Sequence, residues 1–356
     1  MRGAGIKPIT IALKVDMDDA NKQALAEANE MASKVAGAYS KLGTLKLAAI
    51  GGAVGAVGGL ATALLFGIGA ASKFEDSFAG IKKTVDASEA EFDRLAVSIR
   101  QLSTEIPIAT SQLNQIGELG GQLGIESTGL PVFIETIAKL GVATRLSTDT
   151  AALSLARLKE IFQLQEFEIS NLASALVDLG NNFAALEDEI LSTSLRLAAG
   201  AKVAGATVAD TLAIATALQA VGVQSQSGGT AMSRVFQQLT VALQGNQKAM
   251  SVFVETSGLT EEAFRKIASD DPAQALNLFI QGLSRVGETG GNVVAILDEL
   301  GLKQQRTIRA LLSVAEAGDL LTDALARSNA AYDINNALNE EAEKRFDTLR
   351  SKNKAL

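Results

Sequence analysis

The period of hydrophobic and polar positions changes several times along this chain. Ile9-Thr10-Ile11-Ala12-Leu13-Lys14-Val15-Asp16 alternates apolar and polar side chains, the pattern of a half-buried strand. One strand cannot bury itself, so it must pair with another copy or another protein. From Asp18 to about Leu42, Ala24, Leu25, Ala28, Met31, Ala32 and Val35 fall at helical spacing. Leu47 to Ser72 then carries no charge, and Gly51, Gly55, Gly59, Ala63, Gly67 and Ala71 recur at every fourth position within it. On a helix that spacing lays small residues along one drifting stripe, where a partner backbone can come close. Such a helix would span roughly 39 Å, more than the ~30 Å hydrocarbon core of a bilayer. A membrane-competent helix and a buried Gly/Ala hairpin in a bundle both fit. Each glycine costs about 1 kcal/mol of intrinsic helicity, which makes a partner or a lipid surface more necessary.

Beyond Lys73 the pattern becomes a series of short amphipathic helices. Ser88 and Glu91 make a capping-box signal, followed at helical spacing by Phe92, Leu95, Ala96, Ile99 and Leu102. Pro107 ends that helix, and Thr110 or Ser111 is placed to cap the next, which stops near Gly120–Gly124. Thr260-Glu261-Glu262 opens another helix with acids at its positive end. Asp271-Pro272 supplies an N-cap and a first-turn proline, with Leu276, Phe279, Ile280, Leu283 and Val286 marking the buried face behind it. After Gly318 glycine and proline vanish, and charge rises around Glu340-Glu341-Ala342-Glu343-Lys344-Arg345. Acids there precede bases by three or four positions, as on a solvated helix. The chain stops at Lys354-Ala355-Leu356 with no cap or breaker, which reads as the start of a rod in a truncated product.

The expected fold is mainly α. A short N-terminal strand and helix occupy 1–45 and a long Gly/Ala-rich hydrophobic helix 46–73. A compact multi-helix core follows over 74–315, then a charged helix over 316–356.

Composition narrows the function. A net charge of -8 argues against a phosphate-backbone binder, so no sequence-specific nucleic acid binding is expected. The absence of histidine and cysteine excludes disulfides, thiolate or imidazole metal sites and His-dependent triads. Met1 to Pro8 lacks an apolar core beside its basic residues and does not read as a signal peptide.

Candidate chemistry is thin. Gln224-Ser225-Gln226-Ser227-Gly228-Gly229-Thr230 imitates a phosphate-cradling loop, but it lacks the Gly-Lys-Ser/Thr ending and a preceding strand. It is read instead as a glycine turn with Thr230 as N-cap. Glu187-Asp188-Glu189 and Asp270-Asp271 have no calcium-loop spacing and sit at expected helix starts. No catalytic residue, cofactor or metal ligand is expected, and the protein does not read as an enzyme.

Several blocks in order carry a resemblance. They are Phe74-Glu75-Asp76-Ser77-Phe78, then Ile116-Gly117-Glu118-Leu119-Gly120-Gly121-Gln122-Leu123-Gly124-Ile125, then a central block from Leu195 to Leu239. The central block contains Gly205-Ala206-Thr207, Ala217-Leu218-Gln219-Ala220-Val221-Gly222-Val223 and Ser227-Gly228-Gly229-Thr230-Ala231-Met232-Ser233-Arg234. Ile296-Leu297-Asp298-Glu299-Leu300-Gly301 and Arg309-Ala310-Leu311-Leu312 close the series. Together they resemble the core region of phage tail tape measure proteins, with Gly222, Gly228, Gly229 and Thr230 in the family's core motif.

The resemblance implies a structural protein of the virion tail, assembled in the bacterial cytoplasm. Its helical length would set tail length, and its copies would associate in parallel. The partners it implies are the tail tube protein, tail assembly chaperones and, on ejection, the host inner membrane, where the hydrophobic segment would help DNA across. Family members are usually much longer, with a long rod after the core. The alternative from another class is a membrane-inserting helical effector that hides an apolar hairpin in its bundle, as pore-forming proteins do.

Overall fold

A computed structural model describes residues 73–354. The expected N-terminal strand, the helix after it and the stripe Gly51, Gly55, Gly59, Ala63, Gly67 and Ala71 lie outside the described residues. Helical residues 73–84 (α1) lead into Glu89–Glu105 (α2), Thr110–Gln122 (α3), Leu130–Ala143 (α4), Thr148–Phe162 (α5), Glu168–Asn182 (α6), Glu187–Ala204 (α7) and Val208–Ala220 (α8). Ser225–Leu243 (α9), Gln247–Ser257 (α10), Glu261–Asp270 (α11), Pro272–Glu288 (α12), Val293–Glu299 (α13), Gln305–Ala315 (α14), Leu320–Ile334 (α15) and Ala337–Lys354 (α16) complete the order. The fold is mainly α, with no strand among the described residues.

Local chemistry sets most of the boundaries. At the start of α2, Glu91 N donates to Ser88 Oγ and Ser88 N donates to Glu91 Oε2 at 2.8 Å, the expected capping box. The Thr207–Asp210 pair does the same for α8, at 3.0 and 2.9 Å. Asp271 caps α12 by accepting from Gln274 N at 2.9 Å, and Pro272 takes the first turn, where its missing N–H removes no helical bond. Thr260 caps α11. The start of α3 differs from expectation. Its N-cap is Ala109 with no side-chain bond, so neither Thr110 nor Ser111 caps it. Pro107 lies just ahead and already disfavours helical backbone at the residue before it.

Helix α8 is the axis of the core. Every residue from Val208 to Gln219 is buried, because α6, α7, α9, α14 and α15 pack around it. Its side chains are mostly Ala, Thr, Leu and Ile, small enough for several helices to approach from all sides. A second centre joins α10, α11 and α12, where the Phe253 ring stacks on Phe264 at 5.7 Å and meets Phe279 edge-on at 4.8 Å.

The segment after Gly318 packs back onto the other helices. Leu321, Ala324, Leu325, Ser328 and Ala331 bury α15 against α6 and α8, and Leu338, Ala342 and Phe346 bury one face of α16 on α4 and α6. The acid–base run does face solvent, with Arg345 Nε bonded to Glu341 Oε1 at 3.2 Å. A helix charged on only one face keeps the other for packing, so the segment adds to the core.

Candidate functional site

The described residues are organised by contacts between helices. The first of these contacts holds α1, which follows the uncharged stretch in sequence, on α3. Asn114 Nδ2 donates to Ser77 Oγ at 2.7 Å and to Phe74 O at 3.3 Å, and Thr84 Oγ1 donates to Glu118 O at 3.2 Å. The helices can come this close because Gly117 lies against Ile81 and Gly121 against Thr84 and Val85. Phe74 stacks on Phe78 at 5.4 Å, Phe78 meets Phe92 edge-on, and the Arg100 guanidinium sits 4.2 Å from the centre of the Phe74 ring.

The second contact, α7 on α9, contains the motif singled out in the sequence. Gly222 follows α8 in the left-handed region (φ 73°) and lets Val223 N reach back to Leu218 O at 3.0 Å. Gly228 and Gly229 lie inside α9, which starts at Ser225, and Thr230 is an exposed residue within that helix. The reading of a glycine turn capped by Thr230 is therefore corrected. A Cβ on Gly229 would stand 2.9 Å from Thr193 O and 2.7 Å from Arg196 Cβ, and one on Gly200 would stand 2.9 Å from Ser233 Cα. The glycines serve close backbone packing of two helices, and that packing offsets their poor intrinsic helicity. Beside this seam Gln219 Nε2 of α8 donates to Thr193 Oγ1 of α7 at 2.6 Å.

The third contact was not read from the sequence. A line of polar side chains runs along α15 and fastens it to α12, α8 and α6. Asn277 Nδ2 donates to Thr322 Oγ1 at 2.9 Å, Ser328 Oγ to Ala209 O at 2.7 Å, and Asn329 Nδ2 to Asp210 Oδ1 at 2.9 Å. Arg327 pairs with Asp178, and Tyr332 Oη donates to Glu168 Oε1 at 3.1 Å. Burial, reinforced by the Glu168 carboxylate, pushes the Tyr332 phenol far above its ordinary range, so it keeps its proton. The partners lie 45 to 164 positions apart, which hides the line from any local pattern. The Asn335-Asn336 doublet inside a run of helix formers is a local signal that could have drawn attention to the end of this helix.

Two open grooves flank this helix pair. One, of about 580 Å³, lies between the end of α2 and α16 and is lined by Thr104, Ile106, Lys139, Asn339, Glu343 and Phe346 among others. The other, of about 700 Å³, follows α6 and α15 past Phe183, Ala326, Ala330 and Ile334. No grouping of acidic residues that could hold a metal occurs among the described residues. No helix among them is long and apolar enough to cross a membrane.

A family model described as "Phage-related minor tail protein" matches residues 97–340, more than half of the chain. No curated protein and no solved structure matches.

Proposed function

Because this chain belongs to the family of phage-related minor tail proteins and so has a structural role in the virion tail, we propose that it is the tape measure of that tail. In this role its helical length sets the length of the tail tube during assembly. One juxtaposition supports the reading. The uncharged, glycine-striped stretch 47–72 runs directly into α1, and Asn114 and the glycines of α3 lock α1 onto the helical domain. In sequence, a segment whose pattern calls for a close partner thus adjoins a body made of helix contacts.

On this reading several copies associate in parallel through Gly51, Gly55, Gly59, Ala63, Gly67 and Ala71. Tail tube subunits and tail assembly chaperones bind the chain during assembly. The stretch meets the host inner membrane only on release at infection, where it eases DNA passage; the sequence of 47–72 is the support for that step. Affinity purification of the tagged protein from infected cells tests the reading. Tail tube subunits and chaperones should co-purify, and Gly55→Leu with Gly59→Leu should lower the oligomer size while the helical domain stays folded. Leakage of liposomes by the purified protein, with no tail subunit bound, would favour the pore-forming alternative.

A further inference from the structure

Asp319 to Leu356 contains neither glycine nor proline, yet the helix there is broken. The break falls at Asn335, whose backbone is left-handed with φ 51°. Gln163 is the only other non-glycine residue with positive φ among the described residues. Asparagine enters this region more readily than most L-residues, as a left-handed helix cap, and here it is also held there by side chains. The restraint comes from α6.

In an unbroken helix Tyr332 O would accept from Asn336 N; here it accepts from Asn171 Nδ2 at 2.8 Å. Leu338 N would donate to Ile334 O; here it faces Ser174 Oγ at 3.5 Å. The Asn335 side chain is held at both ends, with Ser174 Oγ donating to its Oδ1 and its Nδ2 donating to Ser170 Oγ, each at 2.8 Å. Two side chains of α6, Asn171 and Ser174, thus meet backbone groups that the helix releases at the bend, and Ser170 with Ser174 holds the Asn335 side chain. Lys139 of α4, donating to Asn339 Oδ1 at 2.7 Å, fixes α16 in its bent seat.

We propose that α15 and α16 are two halves of one helix, held bent at Asn335 by Ser170, Asn171 and Ser174, and that freeing them from α6 fuses them into a single continuous helix. The two residues between the halves are Asn335 and Asn336, flanked on both sides by helix formers, so closing the helix across them restores backbone bonds whose groups α6 now partly satisfies. The fused helix would run from Leu320 to Lys354, roughly 52 Å. It would lift Leu338, Ala342 and Phe346 from α4 and α6.

The absence of cysteine makes the test direct, since two introduced cysteines carry the only labels. Thr104→Cys and Glu343→Cys place spin labels on the two walls of the groove between α2 and α16. Their separation is measured in three backgrounds: Ser170→Ala with Asn171→Ala and Ser174→Ala, then Asn335→Leu, then Asn335→Gly. The first two should add a population longer by at least about 10 Å, since Glu343 lies about that far along the helix from the bend. Asn335→Gly accepts the left-handed backbone and should keep the short distance. Circular dichroism checks that each variant is folded, and if the triple variant unfolds, Asn335→Leu decides. An unchanged distance in the folded variants, or equal displacement in Asn335→Leu and Asn335→Gly, would overturn the proposal.

Discussion

Arg327 grips Asp178 with two nitrogens, Nε to Oδ2 at 2.6 Å and Nη2 to Oδ1 at 3.1 Å, across 149 positions of sequence. The pair sits midway along the line of polar contacts from Thr322 to Asn335, and it ties α15 to α6. A structural protein can use such a clamp to fix the register of two helices, because a forked guanidinium fits a carboxylate in only a few orientations.

Arg327→Ala should lower stability by about 1 kcal/mol, the upper end for a partly exposed pair, because this one is two-pronged. The Arg327 side chain is 45% exposed, so the loss should shrink as salt screens the pair. Urea unfolding at low and high salt measures both, and an unchanged midpoint at low salt would contradict the clamp.

Gly282 and Gly301 should respond differently to alanine. A Cβ on Gly282 would run into the Thr256 carbonyl of α10, a backbone atom that cannot step aside, whereas one on Gly301 meets nothing. Gly301 is instead left-handed, with φ 73°. Overpacking sets the cost of Gly282→Ala at about 2–3 kcal/mol, and backbone strain sets that of Gly301→Ala at about 1 kcal/mol. Equal losses in thermal or urea unfolding would mean that α10 and α12 are not in backbone contact.

Glu91 predicts an acid-side dependence. The Ser88 hydroxyl, then the Ser88 N–H, hold its carboxyl below the ordinary glutamate range. A depressed folded pKa adds stability that is present above the unfolded value and is lost as pH falls through the folded one. The stability difference between the native protein and Ser88→Ala should therefore be fully present near neutrality and shrink in acid. A difference that grows as pH falls would contradict the capping box.

Tyr332 predicts the opposite edge. Its folded pKa is raised, first by burial and then by Glu168, above the unfolded value near 10. Its contribution is intact below that value and is lost as pH rises past it. In a Tyr39→Phe background, which leaves Tyr332 as the only tyrosine, tyrosinate absorbance should appear together with loss of helical dichroism. Titration near pH 10 with the helices intact would contradict its buried contact with Glu168.

What could be read in the sequence was local. Ser88 with Glu91, Thr260 ahead of its acids and Asp271 with Pro272 announce helix starts because each cap is made within four residues. Gly229 misled because its role is set by α7, more than twenty positions earlier in the chain, where Thr193 O takes the space a side chain would need, while Gly228 lies against Leu218 and Val223. The bend at Asn335 was hidden for the same reason. Its own neighbourhood favours helix, and the bonds that break it come from Ser170, Asn171 and Ser174. The stretch 47–72 lies outside the described residues and is legible only as a pattern.

Tail length is the most direct measure of the tape measure reading. Phage carrying an in-frame addition of about 70 helix-forming residues after Leu356 should build tails longer by roughly 105 Å, at 1.5 Å per residue, when particles are measured by electron microscopy. Intact tails of unchanged length would contradict that role, even with the protein present in them.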